Sequence, residues 1–223
     1  MIASHEIQHI WRIKSVNTPL TLELRAIKDK RIIVRQFYEK DYQSIDDCCS
    51  AFEVEALTLN DRGFNIYYVM NPIKASAVIG KACKACDIEG RDLLLVDIDR
   101  RDKTHPVTQE VCPASDEQLI ELEIVSDAVA DYFKNELNEL PIAKVMSGNG
   151  YHLYFELGLP NDDEATLVVK QLLQKLENQF GTDTCEIDTS VYDASRITKV
   201  LGCIARKGKE SVDRPYRMAA LCL

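Results

Sequence analysis

The stretch Leu93-Leu94-Leu95-Val96-Asp97-Ile98-Asp99 decides how the chain is read. A continuous apolar run of this kind is what a central strand covered on both faces needs. Side chains at i and i+2 of a strand share a face, so Asp97 and Asp99 are neighbours at the strand's end. Two carboxylates roughly 6 Å apart at an effective dielectric near ~20 repel by about 3 kcal/mol, so the pair calls for a proton, a basic partner or a metal. Oxygen ligands placed this way suit Mg²⁺ or Mn²⁺. The plainer alternative is a solvated strand end whose aspartates meet Arg100 and Arg101, and the pair alone leaves both open.

Upstream, the alternating runs 20–27 and 31–38 are separated by Lys28-Asp29-Lys30 and read as a hairpin. A helix is expected over 48–57, a strand over 64–69 stopping at Asn71-Pro72, and a second helix over about 73–86. Downstream, Ser115 with Gln118 three residues on forms a capping box that opens a helix ending before Pro141. Strands at 142–146 and 151–157 flank Ser147-Gly148-Asn149-Gly150, a turn whose glycines permit positive φ. An amphipathic helix over 161–180, a short strand at 185–187, a short helix near 194–201 and a last strand near 216–221 complete the pattern. This order suggests an antiparallel sheet with helices on one face, within one α/β (α+β) unit.

The 223 residues carry 27 Lys+Arg against 36 Asp+Glu, a net charge of −9, and 46% are hydrophobic. That composition supports an ordinary buried core and argues against a protein that coats nucleic acid non-specifically. No apolar run is long enough to span a bilayer, and the first twelve residues lack a signal peptide's apolar stretch. A cytoplasmic, membrane-free protein with reduced thiols at its eight cysteines is expected.

Two further clusters carry chemistry. Ser147 to His152 puts a side-chain-poor turn ahead of a strand in which His152, Tyr154 and Glu156 share the polar face, opposite Tyr151, Leu153 and Phe155. Backbone N–H groups of such a turn, with Ser147 and His152, suit phosphate oxygens. Ile187-Asp188 then places another carboxylate after a short apolar strand. From Arg196 to Arg217 seven basic residues stand against Glu210 and Asp213, a net of +5 that marks this segment as an anion site.

Taken together these pieces resemble the archaeo-eukaryotic primase superfamily, in particular primase-polymerases of plasmids, phages and CRISPR-associated loci. Leu95-Val96-Asp97-Ile98-Asp99 looks like that family's hhhDhD motif, Ser147 to His152 like its second motif ending in His, and Ile187-Asp188 like its third, single-Asp motif. Similarity extends to residues 68–72, to Ser195-Arg196-Ile197 and to Arg206-Lys207-Gly208, although Gly202-Cys203 stands where many relatives have Gly-Thr. The resemblance implies an RRM-like catalytic module over about 89–223 and an N-terminal α/β subdomain over about 1–88, forming one catalytic domain. It implies a DNA-templated nucleotidyltransferase with two divalent ions, Mg²⁺ or Mn²⁺, on Asp97, Asp99 and Asp188. Ser147, Gly148, His152, Arg196 and Lys207 would meet the incoming dNTP or NTP, with Lys144 and Arg25 as neighbours; Asn71 is explained by its turn. Single-stranded DNA template and primer are the implied partners, with a helicase or another replication or CRISPR domain outside this chain.

The family often carries zinc, but Cys83 and Cys86 fall in an apolar stretch without a second tight ligand pair, so buried thiols are expected instead. The alternative function is a non-catalytic RRM-like module that binds single-stranded nucleic acid, which requires exposed aromatics on the sheet. A metal-dependent nuclease could use the same carboxylates. A two-histidine rolling-circle initiator is disfavoured, because His5, His9, His105 and His152 form no His-hydrophobe-His pair.

Overall fold

The computed structural model describes residues 20–77 and 80–222, so the expectation about the first twelve residues lies outside the described ones. In chain order they form β1 (Thr21–Lys28), β2 (Arg31–Tyr38), α1 (Ile45–Asp61), β3 (Asn65–Val69), β4 (Gly90–Arg100), α2 (Asp116–Tyr132), β5 (Ala143–Met146), β6 (Tyr151–Pro160), α3 (Asp163–Phe180), β7 (Cys185–Ile187), β8 (Ile197–Lys199), β9 (Ile204–Ala205), β10 (Arg217–Met218) and β11 (Ala220–Cys222). The fold is mixed α/β with antiparallel strand pairs, as the pattern predicts. It divides into two units, each assembled from separate stretches of chain.

The first unit runs to Leu93 and takes in Leu157–Ala165 and Asp193–Cys203. Its sheet has the order β2-β1-β3-β8. Antiparallel pairing from Thr21↔Tyr38 to Lys28↔Arg31 leaves Asp29-Lys30 as the turn, with Asp29 in the left-handed region at φ 53°. Leu22, Leu24 and Ala26 are buried on the face that α1 covers, where Phe37 meets Phe52 edge to face at 5.4 Å. Ser44 caps α1 by accepting the Asp47 N–H.

Two expected helices are absent from this unit. The segment after Asn71-Pro72 forms no α-helix in its described residues, only a single 3-10 turn at Ala85–Asp87: Ile73 bridges Ile88, and Val69, Ile73, Cys83, Ile88 and Ala194 bury one another. The apolar spacing that suggested a helix serves this cluster instead. Residues 194–201 contain β8, which pairs with β3 from Val69↔Ile197 to Tyr67↔Lys199. A free strand edge outweighed local helix propensity there.

The second unit comprises Leu94–Glu156, Thr166–Tyr192 and the chain from Ile204 onward. Its five-stranded sheet has the order β11-β5-β6-β4-β7, and β10 pairs with β9 separately. The single last strand expected near 216–221 is thus two short ones. The capping box of Ser115 and Gln118 opens α2 as predicted, and a π-helical turn at Phe133–Leu137 closes it. Phe155 of β6 stacks on Phe133 at 3.8 Å, and Lys144 of β5 bonds Asp127 of α2 at 2.6 Å. α2 therefore covers the sheet face that carries Lys144 and Phe155. The opposite face is left to the residues between them in the alternation.

Candidate active site

The second unit's sheet places the motif carboxylates by register. β4 extends through Arg100, so Asp97 and Asp99 lie within a paired strand rather than beyond it. β7 runs antiparallel to it with Ile98↔Ile187 and Asp99↔Glu186, and the Asp188 N–H donates to the Asp97 carbonyl at 2.8 Å. Asp188 is thus directly opposite Asp97, as Glu186 is opposite Asp99. Opposed residues of an antiparallel pair share a face, so four carboxylates are directed to one side of two neighbouring strands.

Each of these groups has a positive or polar partner. His152 Nε2 is 3.4 Å from Asp97 Oδ1, and its Nδ1 is 3.2 Å from the Tyr154 hydroxyl, so a buried imidazole links β6 to β4. Asp99 Oδ2 lies 3.1 Å from Lys103 Nζ and 3.4 Å from Lys207 Nζ. Lys103 also reaches Glu186 Oε1 at 2.8 Å, and Arg101 lies 3.6 Å from Glu186 Oε2. Asp188 Oδ1 accepts the Ser190 N–H at 2.8 Å. Burial pulls the Lys103 ammonium toward a lower pKa, but the Glu186 hydrogen bond and the Asp99 charge outweigh it and hold the pKa above that of a free lysine.

The plainer alternative for Asp97 and Asp99 gave them Arg100 and Arg101 as partners. Asp99 does accept the Arg100 backbone N–H, but the Arg100 guanidinium turns to the other face, to the Cys112 carbonyl and Gln118. Arg101 bonds Glu177 and the Thr182 carbonyl. As donors, the aspartates fit a hard divalent cation: all are oxygen ligands on one face, only partly exposed, with side-chain exposure of 21% at Asp97 and 17% at Asp99. Among the described residues no three His, Cys, Asp or Glu side chains are gathered into a metal cage. Lysine ammonium groups already contact Asp99 and Glu186, so a cation at this face has ion pairs to displace.

The Ser147 turn is buried throughout. Ser147 donates from both its N–H and its hydroxyl to the Gly150 carbonyl, and the Ala114 N–H donates to Asn149 Oδ1. Gly148 has φ 101°, and a Cβ there would strike Ala205; a Cβ at Gly150 would strike the Ile98 carbonyl oxygen. These glycines let β6 start hard against β4 beside the aspartates.

The other expected nucleotide contacts are divided between the two units. Lys207 joins the carboxylate face through Asp99. Lys144 does not: it lies on the α2 face, paired with Asp127 and Glu123 and 5.1 Å from the Tyr151 ring centroid. Arg25 is in the first unit, bound to Glu23 and the Cys83 carbonyl, and Arg196 belongs to that unit too. Asn71 is structural, donating to the Ala194 carbonyl and accepting the Leu93 N–H.

Most of the basic segment is engaged locally rather than forming an open anion site. Arg214 bonds the Pro113 carbonyl and Gln118, Arg217 bonds the Ala114 carbonyl and Asp116, Lys209 pairs with Glu110, and Lys199 bonds Asn65 and Tyr67. Tyr151 and Phe155 are buried and offer no stacking surface. Cys83 is buried and Cys86 exposed; burial first, and the Glu23 charge next, push the Cys83 thiol up to about 12.

Glu186, Lys103 and Tyr154 were not singled out by sequence. Glu186 sits in a three-residue strand, where only the register with β4 reveals its face. Lys103 stands four residues after Asp99 in what reads as a polar loop. For Tyr154 a signal existed, since it alternates with His152.

No protein-family model matches the chain, and no curated protein matches it in sequence. Solved structures do. The primase RepB′ superposes with a TM-score of 0.54 at 13% identity, covering 99% of this chain and 56% of that one. The catalytic domain of primase RepB′ in complex with initiator DNA gives 0.54 at 12% identity, covering 98% and 83%. The polymerase domain of Mycobacterium tuberculosis Ligase D in complex with DNA gives 0.52 at 15% identity, covering 91% and 75%. The chain thus shares its fold with the primase RepB′ and the polymerase domain of Ligase D, and it spans 56% of the length of the RepB′ chain. Among the described residues no helix is long and apolar enough to cross a membrane.

Proposed function

We propose that this protein is a DNA-templated nucleotidyltransferase, a primase, a DNA polymerase or both, that lengthens a 3′-OH with dNTPs or NTPs. The observation that carries this reading is the placement of Asp97 opposite Asp188, with Asp99 on the same face and His152 against Asp97. Its fold, like that of a primase and a polymerase domain solved with DNA, supports the same class of reaction.

Asp97, Asp99 and Asp188 would hold two divalent cations, Mg²⁺ or Mn²⁺, which when bound supply charge neutralisation and activation of the attacking hydroxyl. The chain's own groups do the rest by positioning. His152, buried and braced by Tyr154, orients Asp97, and its contact with the triphosphate rests on the sequence resemblance. Lys207 brings a positive charge to the same face. Ser147 and Gly148 hold the turn that seats β6 beside β4, and their contact with phosphate rests on the sequence resemblance, as does that of Arg196. Lys144 and Arg25, tied into other ion pairs, are left out of the assignment. Template and primer are single-stranded DNA and its short complement, with a helicase or other replication or CRISPR domain outside this chain as the natural associate.

One gel tests the reading: labelled primer on a DNA template, and unprimed single-stranded template with labelled nucleotide, each with Mg²⁺ or Mn²⁺. Wild type is expected to lengthen the primer, and Asp97→Ala and Asp188→Asn to lose this by about 10³-fold or more. Product in the unprimed lane adds de novo priming. A shortened primer would replace the reading with a nuclease, and DNA binding without any product would replace it with a binding module.

A further inference from the structure

We propose that Lys103 is a built-in counter-cation of the carboxylate face, seated between Asp99 and Glu186 and displaced when a divalent cation binds there, a role that rests on the metal-dependent reading of this face. Lys103 Nζ lies 2.8 Å from Glu186 Oε1 and 3.1 Å from Asp99 Oδ2, so one ammonium joins carboxylates on two neighbouring strands. Those carboxylates are directly opposed across the ladder, where like charges repel. Lys103 relieves that repulsion in the absence of metal.

The attachment of Lys103 suits it to leave. Its backbone is fixed, since its carbonyl accepts the Cys112 N–H at 3.1 Å and the next residue, Thr104, bridges Val111. Its side chain is a strongly hydrated point charge on a flexible four-carbon stem, a third of it exposed, unlike an arginine fork that would grip both carboxylates in fixed geometry. Lys207 shares Asp99 Oδ2 at the longer distance of 3.4 Å and does not bridge. A cation that takes Asp99 meets Lys103 as its competitor, and the ammonium it displaces has solvent to move into. The ion pair thus sets a threshold for metal occupancy and leaves Glu186 with Arg101 as its basic partner on binding.

The test is direct binding of Mn²⁺ alone to the full chain, read from the free-ion signal in electron paramagnetic resonance. Lys103→Met is expected to tighten Mn²⁺ binding about tenfold, the effect of removing one close competing charge. Lys209→Met removes the same charge at an exposed pair with Glu110 and is expected to change affinity by less than about twofold. Asp97→Ala is expected to abolish binding. A second measurement needs no Lys103 variant: reductive methylation of wild type, mapped by mass spectrometry, should label Lys103 faster with Mn²⁺ and Lys209 equally with or without it.

Unchanged or weaker binding in Lys103→Met, with Asp97-dependent binding intact, overturns the counter-cation role and spares the metal reading. Unchanged Lys103 labelling on Mn²⁺ addition does the same. Absence of Asp97-dependent Mn²⁺ binding in both wild type and Lys103→Met overturns the two together.

Discussion

Each unit contains a carboxylate held by basic or amide groups, and the two are built differently. Glu23 in the first unit has 0% of its side chain exposed; Arg25 bonds one oxygen at 2.7 Å, Gln36 the other at 2.9 Å, and the Cys83 N–H lies within 3.1 Å of both. Arg25 also donates to the Cys83 carbonyl at 2.6 Å, closing a ring of fixed, planar partners. Asp99 in the second unit is instead faced by two lysines on flexible stems and is partly open to water. A guanidinium-and-amide cage makes a structural carboxylate; ammonium groups that can swing away make an exchangeable one.

The largest effect separating them should fall on stability. Glu23→Ala leaves a half-buried guanidinium and a buried N–H without their carboxylate partner and is expected to cost about 3–5 kcal/mol of unfolding free energy in urea denaturation. A loss below about 1 kcal/mol would remove the distinction between the two carboxylates. In the second unit the part that cannot move is backbone. Gly150→Ala is expected to cost about 2–3 kcal/mol, because its Cβ would strike the Ile98 carbonyl oxygen inside the sheet. Asp99→Asn should change stability by no more than about 1 kcal/mol while primer extension falls at least about 100-fold, so denaturation and extension assays on one variant sharpen the contrast.

The smallest effect at neutral pH concerns the thiol on the Glu23 network. Cys83, raised from 9.0 to about 12 chiefly by burial, keeps its proton longer in the folded than in the unfolded chain. Its contribution to stability is therefore whole below about pH 9 and is lost as pH climbs toward 12. At pH near 8 iodoacetamide should modify exposed Cys86 and spare Cys83, an outcome that peptide mapping reads directly. Equal labelling would mean that the Glu23 cage opens readily.

Elements that depend on their own residues were legible in the sequence. The hairpin announced itself by alternation around Asp29-Lys30, α2 by its capping box, and β4 by an apolar run ending in two aspartates. The segments that failed, residues 73–86 and 194–201, are short and take their form from distant partners: Ile73 from Ile88, and β8 from β3. The same limit applied at the site. Asp97, Asp99 and Asp188 could be singled out one strand at a time, but Glu186 and Lys103 acquire meaning only through the β4–β7 register. The basic count between Arg196 and Arg217 misled because charge along a chain does not reveal that Arg214 and Arg217 are spent on the carbonyls of Pro113 and Ala114.

The interleaving of the two units has a consequence for synthesis. The chain changes unit five times, after Leu93, Glu156, Ala165, Tyr192 and Cys203. β3 waits for β8 as its second neighbour, and β8 is about 130 residues further along. On the ribosome, then, the first unit cannot finish folding until most of the second has been made, and the sheet that emerges first keeps an open edge until Ile197–Lys199 have left the exit tunnel.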